Sequence, residues 1–280
     1  MDRIKEYFKK LYKIMKSNEM RILPGNIAFF MVLSLMPILT LVGIVFSKLP
    51  TAVVNMKEML VSFLPVSIVN LLSNFFASDI KTGHLAIILI IGFVVASNGA
   101  HAIILASNTL YKTKSSNYIV RRFKAFLLII ILMLMFIFAL SVLAFGNTIL
   151  KFILSLPLFD YINFDIYSLF VLLKYPIAFI VIYSLVKAIY TMAPDKKIPS
   201  RFVTKGALFT TIGWIIVTLL YAFYATNIAN YNRFYGSLSN IAMLMIWIYL
   251  ISYVFVLGIS INTSFYELKD DLENNIKDNG

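Results

Sequence analysis

Six separate runs of mainly apolar residues, each long enough to cross a bilayer as a helix, constrain this chain more than any other feature. They are Leu23–Phe46, Leu85–Leu105, Phe123–Phe145, Leu169–Thr191, Ala207–Ile228 and Ile241–Asn262, and none contains an Asp or a Glu. A hydrocarbon core about 30 Å thick is crossed by roughly 20 residues of helix. Backbone in lipid has to satisfy its own hydrogen bonds, which leaves the helix as the conformation for runs of this length. Composition agrees, with 60% hydrophobic and only 14% charged residues over 280 positions. Soluble domains run at about 45–50% and about 25%. Too little polar surface remains to coat a water-soluble fold. The chain reads as an all-α, polytopic membrane protein. A soluble enzyme, a nucleic-acid-binding domain and a disordered tail are excluded as descriptions of the whole.

Lys and Arg placement orients the bundle. The N-terminal segment holds seven, from Arg3 to Arg21, and two connections hold Lys112, Lys114, Arg121, Arg122, Lys124 and Lys196, Lys197, Arg201, Lys205. The alternate connections carry only Lys48, Lys57, Lys81, Lys151 and Arg233. Positive charge stays cytoplasmic, so the pattern predicts six transmembrane helices with both termini inside. The net charge of +12 is then mainly a topology signal and at most an attractor of anionic headgroups; nucleic acid is not an expected partner. The expected divisions are a cytoplasmic basic helix over residues 1–22, a transmembrane domain over 23–263 and an acidic cytoplasmic tail over 264–280. The first run exceeds the about 7–15 apolar residues of a secretory signal, so it is expected to be retained. Val53–Phe76 and Ile149–Phe170 are too apolar for plain loops, yet Pro65 and Pro157 and nearby charges interrupt them. Both are expected as amphipathic or re-entrant helices at the outer interface. A seventh crossing by Val53–Phe76 would put the basic loops on opposite sides, against the charge bias.

With no carboxylate in the spans, the informative groups there are Asn, His, Ser and Pro. Asn98, His101, Leu105 and Asn108 follow one another at three- and four-residue steps and share a helix face. Such a stripe lines a polar cavity or bonds to neighbouring helices, and both readings stay open. His101 is the only histidine well inside a span, either a packed neutral imidazole or a protonation site. Pro37 predicts a kink, with Asn26 and Ser34 on roughly its side. Trp247, Tyr249, Ser252 and Asn262 point to a last helix buried in the bundle, and Gly258 would permit close approach. Arg121 and Arg122 suit bidentate contact with a phosphate headgroup, while plain positive-inside anchoring explains them equally well. Cysteine is absent and there are only two histidines, His84 and His101. No metal, cofactor or catalytic residue is therefore expected, and the reading is non-enzymatic. No GxxxxGK[ST] motif exists for direct use of ATP.

Several stretches together resemble one family. Ala28-Phe29-Phe30…Leu33-Ser34-Leu35-Met36-Pro37 is similar to its Ala-aromatic-aromatic…Leu-Ser-Leu-x-Pro signature. Asn108-Thr109-Leu110-Tyr111 followed by Arg121-Arg122 has a counterpart, as do Gly206-Ala207…Gly213-Trp214 and Tyr235-Gly236-Ser237-Leu238…Trp247-Ile248-Tyr249…Leu257-Gly258…Asn262. In order and spacing these resemble the YihY/BrkB family of bacterial inner-membrane proteins; Asn26-Ile27 departs, where many members have small residues. The resemblance implies a six-helix fold in the bacterial cytoplasmic membrane and leaves the activity open. Some members carry the name ribonuclease BN, but a zinc-dependent nuclease needs a His-rich metal-binding motif. His84 and His101 cannot supply one, so the label does not fit these residues. Other members are linked to serum resistance and to lipid or lipopolysaccharide-precursor transport. Two functions are expected to compete. One is movement of an anionic lipid or other amphiphile between leaflets, like a flippase not itself driven by ATP. The other is a non-transporting scaffold whose partners, a second copy or envelope proteins, dock on the basic N-terminal helix or on Glu267–Asp278.

Overall fold

The computed structural model describes residues 12, 13, 15–46, 82–139, 166–227 and 236–278. They form six α-helices, α1 Asn18–Phe46, α2 Thr82–Leu110, α3 Tyr118–Ala139, α4 Ile166–Met192, α5 Ser200–Asn227 and α6 Ser239–Asp278, with a short 3-10 turn at Gly236–Leu238 before α6. No strand occurs among the described residues. Ile90–Leu110, Ser200–Ala225 and Ile241–Glu267 are each long and apolar enough to cross a membrane, and Pro176–Met192 is a shorter apolar stretch. Val53–Phe76 lies outside the described residues. So does Ile149–Phe170, except its end from Ile166, which opens α4.

The helices outrun the apolar runs that announced them. α2 extends through Leu110 and α5 starts at Ser200, ahead of Ala207, because their polar ends find partners in the fold. α1 continues through Pro24 and Pro37. It is capped by Ser17, whose Oγ accepts the Met20 N–H at 3.4 Å, with Glu19 in the favourable first turn. α2 stops in a Schellman turn. The Thr113 N–H donates to Asn108 O at 2.9 Å and the Lys112 N–H to Thr109 O at 3.1 Å. Lys112, with φ 50°, occupies the left-handed position usually given to glycine. α6 runs unbroken for 40 residues, so the acidic tail continues the last helix as far as Asp278.

Each helix packs on its neighbours in sequence, and α6 closes on α1, making a ring of six. Small residues and polar bonds hold its joints, as expected where lipid is as apolar as the core. At the α1–α2 joint, fully buried Ser34 donates to Phe30 O at 2.6 Å and accepts the Gly99 N–H at 3.0 Å. Where α4, α5 and α6 meet, the Tyr190 hydroxyl donates to Phe255 O at 2.8 Å and lies 2.6 Å from Thr210 Oγ1. The Gly206 N–H donates to Asn262 Oδ1 at 2.8 Å. A Cβ on Gly206 would overlap Gly258 O and Asn262, and one on Gly258 would overlap Thr210 and Tyr190. The close approach expected at Gly258 is there. Further along α5, Trp214 Nε1 donates to Ile251 O at 2.9 Å and Trp247 Nε1 to Thr218 at 3.2 Å. Ser252 and Asn262 are buried as expected of α6, but Tyr249 is 42% exposed and faces outward. The difference has a physical reason, since an aromatic ring suits lipid and core alike.

Candidate functional site

Two polar clusters lie where α2 ends and α3 begins. The first is a crevice between these helices. On α3, Arg121, Arg122, Ala125, Leu128, Ile129 and Leu132 recur at helical steps, and the four apolar members are buried. The arginines, expected in a connection, therefore begin the buried stripe of a helix. On α2 the facing residues are Val94, Asn98 and His101. Arg122 Nη1 donates to Asn98 Oδ1 and Nη2 to Val94 O, each at 2.8 Å. Its guanidinium carbon lies 5.5 Å from the centre of the Phe126 ring, and Phe126 stacks on Phe93. The His101 ring meets Tyr118 edge-on at 6.3 Å, and both arginines lie close enough to act on it electrostatically. Arg121 Nε and His101 Nδ1 are shielded from solvent and have no hydrogen-bond partner. Neither arginine is paired with a carboxylate among the described residues. The outer flank of the crevice is apolar, with Ile90, Ile91, Val94 and Phe123 all exposed.

The second cluster centres on Asp195, in the turn between α4 and α5. Its Oδ2 accepts Asn108 Nδ2 at 2.8 Å, the Ser116 N–H at 2.9 Å and Ser116 Oγ at 3.0 Å. Its Oδ1 accepts Lys124 Nζ at 2.8 Å, and that ammonium also donates to Pro194 O at 2.7 Å. The Asp195 N–H in turn donates to Asn108 Oδ1 at 2.8 Å. Burial disfavours the charged carboxyl, but Lys124, Ser116 and Asn108 outweigh it and hold the pKa down at about 2. The node ties α2, α3 and the α4–α5 turn together at one end of the ring. Beyond it, Lys196 sits 4.5 Å over the Tyr266 ring. Lys112 forms an exposed pair with Glu267 at 3.3 Å, joining the α2 turn to α6.

Of the residues singled out in the sequence, Asn98, His101, Arg121 and Arg122 come together in the crevice. Asn108 shares their helix but serves Asp195 instead. Ser34 is inside the α1–α2 joint, and Pro37 lies half-buried near Gly92, whose Cβ would stand 4.0 Å from the proline. Asn26 is exposed on α1 and joins none of these. Sequence reasoning missed Asp195, Ser116 and the part played by Lys124. The signal was present: Asp195 is the lone carboxylate in two strongly basic connections, and a lone acid among so many cations has a partner to find.

The sequence pattern of the family described as virulence factor BrkB matches residues 11–279. YfkH of Bacillus subtilis strain 168, named as ribonuclease-like, is 30% identical over 271 residues, covering 94% of this chain and 96% of its own. A UPF0761 membrane protein of Vibrio campbellii is 26% identical over 286 residues, covering 95% of this chain and 85% of its own. A UPF0761 membrane protein of Xanthomonas campestris pv. campestris is 37% identical over 76 residues, 27% of this chain and 18% of its own. No solved structure matches.

Proposed function

The chain belongs to the virulence factor BrkB family of membrane proteins, and from that premise we propose that it moves an anionic lipid or another amphiphile between leaflets of the bacterial cytoplasmic membrane. In this reading all six helices span, both termini face the cytoplasm, and the crevice opens toward the inner leaflet. The observation that carries it is Arg122 held against Asn98 and Val94 O. A guanidinium is costly at membrane depth, and a positioning residue spends an acceptor on it here beside exposed apolar side chains. Basic residues around the rim would gather anionic headgroups, each contributing about 1 kcal/mol near the surface. Of the remaining candidates, Ser34 and Asn108 then hold the helices around that path and Pro37 lies within α1 beside it, while Asn26 stands exposed on α1 apart from it.

A second reading, a membrane scaffold, is favoured by one observation of its own. Ser34, Tyr190 and Asn262 are engaged in interhelical bonds, as they would be in a bundle built only to pack. No enzymatic step is proposed, and the ribonuclease-like name of YfkH stays with that protein. Purified protein in vesicles carrying leaflet-specific lipid probes tests the choice. Redistribution of anionic lipid faster than in empty vesicles is expected; equal rates for the main anionic headgroups would leave the scaffold reading.

A further inference from the structure

The crevice holds more cationic and donor capacity than the protein itself uses. Arg122 is already oriented by Asn98 and Val94 O. Arg121, one residue away, presents a shielded Nε without a partner, and so does Nδ1 of His101. An unmatched polar atom out of water is unfavourable, and two within one cationic crevice point to a missing acceptor. An anionic acceptor suits the place, because two neighbouring guanidinium groups bring positive charge to it and neither is paired with a carboxylate among the described residues. It has to be compact and multidentate, because donors converge from two helices. A phosphate group meets both needs: its oxygens match the planar guanidinium fork, and a neutral imidazole with its proton on Nδ1 adds a further donor.

We infer that Arg121 and His101, with Arg122 fixed as the floor, form a binding site for a phosphate ester, entered from the exposed apolar flank of α2 and α3. The flank favours a phosphate that carries acyl chains, lying along Ile90, Ile91 and Phe123 while the headgroup reaches the arginines. Free phosphate shares the same chemistry. This inference deepens the transport reading and rests on it for the ligand's direction of approach, while binding itself is measured separately.

The full chain in detergent is examined by native mass spectrometry with phosphatidylglycerol, with phosphatidylcholine, and with phosphatidylglycerol in the presence of inorganic phosphate. Arg121→Gln is expected to weaken phosphatidylglycerol binding about tenfold and His101→Gln about threefold, of the order of one lost charge-assisted bond. Arg121→Lys should recover part of the loss, and Lys114→Gln, which removes an exposed charge from the same connection, should change nothing. Competition by inorganic phosphate would assign the site to free phosphate, and its absence to the lipid. Unchanged binding in both Arg121→Gln and His101→Gln, or an equal loss in Lys114→Gln, would overturn the site. Should lipid stay put in vesicles while binding still depends on Arg121, the transport reading fails and the site stands. Redistribution that persists with binding indifferent to Arg121 removes the site alone.

Discussion

Asp195 and Lys124 allow the joint at the basic end of the ring to be measured directly, by replacing Asp195 with Asn, Lys124 with Met, and both together. The Asp195 side chain is 8% exposed and that of Lys124 21%, so the pair is shielded without being sealed. Removing one partner of a buried pair costs about 3–5 kcal/mol, because the other charge is left unmatched, whereas neutralising both leaves no unmatched charge, so the two losses do not add. Lys124 keeps Pro194 O as an acceptor, which puts Asp195→Asn at about 2–3 kcal/mol. Lys124→Met leaves a carboxylate still accepting three bonds from Asn108 and Ser116, for a loss of about 2 kcal/mol. The double variant is expected to lose about 2–3 kcal/mol in all, a coupling of about 2 kcal/mol. Unfolding in detergent micelles, followed by Trp214 and Trp247 fluorescence during an SDS titration, reads these differences. Acid supplies a second readout. Because the folded pKa lies at about 2, below the ordinary 3.8, this contribution is complete above about pH 4 and is lost as pH falls through about 2. That part of the acid response should vanish in Asp195→Asn. Strict additivity of the two single variants, with an unaltered acid response, would refute the reasoning.

Gly258→Ala puts a methyl against Thr210 and Tyr190 and should destabilise by about 1–3 kcal/mol while far-UV circular dichroism stays helical. Gly25→Ala in α1 meets nothing within 4 Å and should stabilise by about 0.5–1 kcal/mol in the same titration. Lys112→Gly relieves the left-handed backbone at φ 50° and should raise stability by about 0.5–1 kcal/mol. Losing the exposed pair with Glu267 offsets little of that gain; a net loss of stability would mean the pair matters more than its exposure suggests.

The helices were legible because a bilayer leaves an apolar run little else to become. Their ends were less so: α2 gains Ala106 to Leu110 through the Asn108 bonds, made with a partner 87 positions away. Facing was hardest to read. In water an apolar stripe marks the buried side, but lipid accepts the same residues as the core does, so Tyr249 and Ile248 look alike in sequence while one is exposed and the other buried. Polar residues carried what facing information there was. Of the face shared by Asn98, His101, Leu105 and Asn108, Asn98 meets Arg122 and Asn108 meets Asp195, and Gly258 marks a close crossing. Which cation would claim Asn98, and that Asn108 would belong to Asp195, depended on how α3 and the α4–α5 turn fold back.

The unbroken course of α6 has a mechanical consequence. Forty residues make a rod of about 60 Å, twice the depth of the hydrocarbon core, which is about 30 Å. Inside, the rod is pinned by Asn262 to α5 and by Ser260 to Met20 of α1. Anything that grips its outer third acquires a lever arm. A tilt or twist imposed beyond Glu267 would be transmitted as torque to the seam where α6 closes the ring against α1. A load on the acidic extension would thus be felt where Asn262 and Ser260 hold the helix to its neighbours.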